Sequence, residues 1–107
     1  MPDLPSLLAR IESATGPDRE IDAYLADWLD QQYIGADAPC YTASIDAGIA
    51  LCERVLPGWS WAVDSGYAAN HQKSHAEAWT GDDEGSGDAA TPALALCAAI
   101  IKARMET

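Results

Sequence analysis

A chain of 107 residues, 49% of them hydrophobic, with four Trp and no Phe, has the size and composition of a single globular domain, 1–107, and not of a disordered tail. Seventeen acids against six scattered bases (Arg10, Arg19, Arg54, Lys73, Lys102 and Arg104) give a formal net charge of −11. That balance excludes direct binding to nucleic-acid phosphates or to an anionic membrane surface, and it leaves a basic protein as a suitable partner.

Leu4, Leu7, Leu8 and Ile11 recur at helical spacing, so a first helix is expected over about residues 4 to 14, stopped by Gly16. Pro17 suits the opening of a second helix because its missing N–H has no partner there anyway, and Asp18 and Glu20 suit the positive end of the helix dipole. Its buried stripe reads Ile21, Tyr24, Leu25, Trp28 and Leu29. The stretch from Gln31 to Tyr41 lacks periodicity and reads as a loop. Thr42 or Ser44 can cap a third helix whose core face is Ile45, Ile49, Cys52 and Leu56, and Pro57-Gly58 ends it.

In WSWAVDSG, Trp59, Trp61 and Val63 alternate with Ser60, Ala62 and Asp64, the period of a strand with one buried face. Residues 66–73 are turn-prone, and Ser74 to Thr80 supplies a returning strand. The acidic run from Asp82 to Asp88 reads as a solvated connection. Thr91 caps a last helix with Pro92 in its first turn and Lys102 and Arg104 near its negative end. The expected fold is α+β, in the order ααα-ββ-α, with a small antiparallel hairpin sandwiched by about four helices.

The segment from Ala93 to Ile101 is apolar nearly all round, so that helix requires cover on more than one side. Its nine residues fall well short of the roughly 20 that span a bilayer. No basic segment followed by an apolar one marks a signal peptide at Met1. Cys40, Cys52 and Cys97 are odd in number and form no C-x-x-C pair, which points away from a disulfide framework and toward a reducing cytoplasm. A hairpin with open edges and an all-round apolar helix together predict a homodimer.

Three segments carry a resemblance: LLARIESATGPDREIDAYLA at 7–26, YTASIDAGIALCERVLPGWSW at 41–61 and ATPALALCAAIIKAR at 90–104. Together they resemble the phage ABA sandwich domain family of small phage and prophage proteins. The resemblance implies helices on both faces of a small sheet and brings no catalytic residue, no cofactor and no assigned molecular function.

The chemistry-bearing residues are few. Asp82, Asp83, Glu84 and Asp88 offer oxygen ligands, yet they lack the alternate acids, sixth glycine and twelfth glutamate of an EF-hand loop. His71 and His75 are four apart, but at a turn and a strand start, with no Glu between them, so exposed hairpin histidines are expected. Cys40 has no histidine close in sequence to activate it, and Cys52 and Cys97 lie on apolar helix faces. Trp59 and Trp61 belong to the core, while Trp79 is the aromatic expected at the surface. No nucleophile elbow, phosphate loop or dinucleotide fingerprint is present.

The candidate partner surface is therefore Asp18, Asp22, Asp27 and Asp30 on the second helix together with Trp79, Asp82, Asp83, Glu84 and Asp88. The leading expectation is a phage or prophage accessory protein without enzymatic activity, cofactor or metal, acting on a basic host or phage protein. A sharper alternative is an acidic mimic of nucleic acid that inhibits a host nuclease, repressor or defence protein. A third is a small metal protein or enzyme built on His71, His75 and the acidic run.

Overall fold

A computed structural model describes residues 4–30, 38–64 and 73–106, apart from the side chains of residues 30 and 106. The fold is α+β, and among the described residues it has four helices and one three-stranded antiparallel sheet. Helix α1 is Leu4–Ser13 and α2 is Arg19–Leu25, which continues into a π-helical turn, Ala26–Asp30. Helix α3 is Ile45–Val55, strands β1, β2 and β3 are Ser60–Asp64, Ser74–Thr80 and Asp83–Ala89, and α4 is Pro92–Glu106.

The local signals act as physics predicts, with adjustments of a residue or two. Asp18 caps α2 by accepting hydrogen bonds from the Glu20 and Ile21 amides, so Pro17 lies just outside the helix. Of the two cap candidates for α3 it is Ser44 that accepts from the Ala47 amide. The Leu94 amide donates to the Thr91 hydroxyl at the start of α4, and Arg104 lies in its last turn. Gly58 takes a positive φ of 85° in the turn that leads from α3 into β1.

The acidic run is not a loop. Asp83–Ala89 forms β3, paired along its whole length with β2, from Thr80↔Asp83 to Ser74↔Ala89. Its physical reason lies in two glycines. Gly85 and Gly87 face inward and are buried, and α4 comes so close that no side chain fits at either position. The outward positions Glu84 and Asp88 remain exposed, so the acids stay in water while the backbone closes the sheet.

Rows of paired residues across the sheet explain how α4 lies on it. Val63, Ala76 and Gly87 form one inward row and Trp61, Ala78 and Gly85 the next. Side-chain volume falls from β1 to β3 in both, so the helix approaches β3 most closely and Trp61 and Val63 pack against the edge of the core. Ala95, Ala98, Ala99 and Ala103 line the face of α4 that meets the two glycines. On the side toward the other helices, Leu96 meets Gly48 of α3 and the Cys97 thiol points at the Tyr41 carbonyl, 3.6 Å away.

Every residue from Leu94 to Ile101 is 0% exposed. The sheet covers α4 on one side and α1 and α3 cover it on the other, so the chain itself supplies the second cover that the sequence demands. The layers run sheet, α4, then the remaining helices. The buried middle layer is thus a helix, which corrects the expectation of a hairpin with helices on both faces. The sheet's other face is left in water: Ser60, Ala62, Asp64, Glu77, Trp79, Glu84 and Asp88 are exposed there, and His75 and Ser86 are partly so.

The core face of α3 is also rotated from the expected one. Ile45 is 38% exposed, while Gly48, Leu51 and Cys52 are buried. A Cβ on Gly48 would stand 3.0 Å from Leu96 Cδ2, so the glycine leaves that leucine its place without a shift. Among the described residues no helix is long and apolar enough to cross a membrane.

Candidate functional site

The nine residues expected to form one surface fall into two separate sets. On the helical side of the molecule the acids are occupied by the fold. Asp18 is the α2 cap and lies 3.9 Å from the Arg10 guanidinium. Asp22 is 1% exposed, and its Oδ1 accepts from the Thr42 amide at 2.8 Å and from the Thr42 hydroxyl at 2.9 Å. Its Oδ2 accepts from Arg19 at 3.0 Å, and the same guanidinium also donates to the Ala38 and Pro39 carbonyls. Asp22 therefore ties α2 to the segment before α3 and is withdrawn from any docking surface. Asp27 is exposed, and the Asp30 side chain lies outside the described residues.

The other set comes together on the outer face of the sheet. Strand pairing gives three outward rows: Ser60, Trp79 and Glu84; Ala62, Glu77 and Ser86; Asp64, His75 and Asp88. Four carboxylates and a 38% exposed Trp79 thus share one face, with Asp82 and Asp83 at the adjoining turn. The strands contain no Lys or Arg, so the only cationic group they bring to this face is His75.

His75 lies between two acids. Its Nδ1 is 2.9 Å from Asp88 Oδ1 and its Nε2 is 3.3 Å from Glu77 Oε1. Carboxylate oxygens only accept, so the imidazolium, with two N–H donors, satisfies both contacts, whereas the neutral ring satisfies one. The Asp88 hydrogen bond is the chief cause of a pKa raised above the ordinary 6.5, opposed by partial burial and assisted by Glu77 and the charges of both acids. Because the two acids meet opposite ring nitrogens, they cannot share one ion with a single nitrogen. Among the described residues no three His, Cys, Asp or Glu side chains converge on a metal position, and His71 lies outside the described residues.

The cysteines divide as their surroundings dictate. Burial pushes the Cys52 thiol up to about 11 and the Cys97 thiol up to about 12, so both remain protonated and behave as small hydrophobes. Cys40 is exposed and accepts a 3.3 Å contact from Arg19. All three are free thiols.

Sequence reasoning had Trp79, Glu84 and Asp88 but missed Asp64, His75 and Glu77 as members of the same face. The missing signal was the alternation of positions 84, 86 and 88, which carries information only once β3 is known to be a strand. Comparison with family models, with curated proteins and with solved structures found no match for the chain.

Proposed function

We propose that this chain acts through protein contacts, and that the outer face of its sheet docks a basic protein. One observation carries the reading: a three-stranded face, open to water, presents Asp64, Glu77, Glu84 and Asp88 together with the part-exposed Trp79, with no Lys or Arg in the strands. Carboxylates give bidentate partners to arginine, and an indole face attracts a guanidinium. Charge complementarity thus selects a cationic surface, and Trp79 supplies an anchor of the kind that dominates binding energy.

The resemblance to small phage and prophage proteins supports a partner in the host or among other phage proteins, and three free thiols suit a reducing cytoplasm. The sharper form of the reading is an acidic mimic that occupies the nucleic-acid site of a host nuclease, repressor or defence protein. Such an inhibitor displaces duplex DNA from its target in a competition that weakens as salt rises.

The direct experiment titrates the protein with an octa-arginine peptide while recording amide NMR spectra. Expected shifts cluster at positions 75, 77, 79, 84, 86 and 88, and affinity falls steeply as salt is raised through about 0.15 M. Shifts centred on α1 and α2, or an affinity indifferent to salt, would contradict the reading.

The homodimer belongs to the same proposal in a narrower form. With α4 enclosed by its own chain, only the sheet edges recommend it. The β3 edge carries Asp83, Glu84 and Asp88, which repel a second copy, whereas β1 reads SWAVD with one charge. Pairing two β1 strands about a two-fold axis would extend the docking face without burying it.

A further inference from the structure

His75 occupies the central strand, and its ionisable neighbours come from all three strands. Asp88 of β3 is its cross-strand partner and contacts Nδ1; Glu77, two residues along β2, contacts Nε2; Asp64 of β1 is its partner on the other side. Lys73, two residues earlier and exposed, stands at the entry to β2. Helix α4 packs on the opposite face of the sheet. The imidazole therefore lies among three of the four carboxylates assigned above to a cationic partner, Asp64, Glu77 and Asp88, and it competes with that partner for two of them.

We propose that His75 is a pH-operated latch on this face: as imidazolium it holds both Asp88 and Glu77 in its own ring contacts, and as neutral imidazole, with one N–H left, it gives up one of them to an arginine-rich partner. The inference rests on the docking reading and adds its regulation. Its chemistry is a proton exchange without covalent change. The partner's guanidinium replaces the imidazolium as counter-ion, and the Nδ1 or Nε2 proton leaves to solvent.

Two linked consequences follow. A partner that prefers the deprotonated form gains affinity as pH rises, and its binding must lower the proton affinity of His75 by the same factor. The latch also offsets one unit of negative charge on the central strand of the face. Removing a unit charge a few ångström from an exposed guanidinium changes affinity roughly threefold to tenfold. Histidine is the side-chain type on this face whose ordinary pKa falls in this range.

The test measures octa-arginine affinity at constant ionic strength between about pH 5.5 and about pH 8. The native chain should bind roughly threefold to tenfold more tightly at the upper end, and saturation with peptide should lower the His75 pKa read by imidazole NMR. In His75→Gln the affinity should become flat with pH. In Asp88→Asn, which leaves the ring in place, the free-state His75 pKa should fall back toward the ordinary value. Binding that is equally strong at both ends in the native chain overturns the latch and leaves the docking face standing. A pH dependence that survives His75→Gln likewise overturns it, by assigning the titration to another group. Absence of binding at every pH overturns the docking reading and the latch with it.

Discussion

Gly85 of β3 lies directly against Ala99 of α4, so close that a Cβ added to the glycine would stand 2.6 Å from the Ala99 carbonyl oxygen and closer still to the Ala103 backbone nitrogen. Gly87 repeats the relationship one pleat further on, with the Ala95 carbonyl at 2.7 Å. Neither neighbour is a flexible side chain, so relief requires moving backbone. Gly85→Ala and Gly87→Ala should therefore each lose about 1–3 kcal/mol or more of stability in urea denaturation. Ser86→Ala, which points to the open face, should change it by less than about 0.5 kcal/mol.

Asp22 should be a stability residue and not a binding residue. Removing its carboxylate leaves the buried Thr42 amide without a partner, while Arg19, whose side chain is 52% exposed, keeps its carbonyl contacts. Asp22→Ala is expected to cost about 1–3 kcal/mol, measured by chemical denaturation. Its affinity for octa-arginine, measured where the variant is still folded, should match the native chain. A variant as stable as the native chain would remove Asp22 from this role.

The pH dependence of stability carries a defined sign. The folded-state pKa of His75 is raised above its unfolded value of about 6.5. Its stabilising contribution is therefore complete below that unfolded value and disappears as pH rises through the folded value. Because the group is at the surface, the effect should stay below about 1 kcal/mol. Comparing native and His75→Gln urea midpoints across that window isolates it, and a native advantage that grows with rising pH would have the wrong sign.

Self-association is expected to run through β1. Ala62→Lys places a charge at the middle of that edge strand and Val63→Pro removes a backbone donor there. In sedimentation equilibrium at micromolar protein the native chain should show a mass approaching twice 11.3 kDa as concentration rises, and both variants should remain at one chain's mass. A native mass fixed at that of one chain would rule out the dimer.

Much of the fold was legible in the sequence because its signals are local. The acids Asp18 and Glu20 at the start of α2, the caps at Ser44 and Thr91, the break at Pro57-Gly58 and the alternation of Trp61 and Val63 each act within a few residues. The misses share one cause. Gly48, Gly85 and Gly87 are core positions whose contribution is the absence of a side chain, and a hydrophobic pattern does not register an absence. With the glycines unread, β3 looked like a solvated loop and α3 was turned to present Ile45. The acids of α2 and β3 then appeared to form one surface, although α4 and the sheet separate them.

The central claim is that the outer sheet face, and not net charge at large, recruits a cationic partner. Two triple variants of equal charge decide it. One is Glu77→Gln, Glu84→Gln, Asp88→Asn on the sheet, and the other is Asp27→Asn, Asp46→Asn, Glu53→Gln at exposed helical positions. Octa-arginine affinity is measured for both at about pH 8, the upper end of the range in which histidine changes charge. The sheet triple should lose roughly tenfold, as expected from three surface contacts of about 0.5 kcal/mol each, and the helical triple should stay close to the native value. Equal weakening in the two would mean that the protein attracts cations through its overall charge alone, and the assigned face would have no special part in binding.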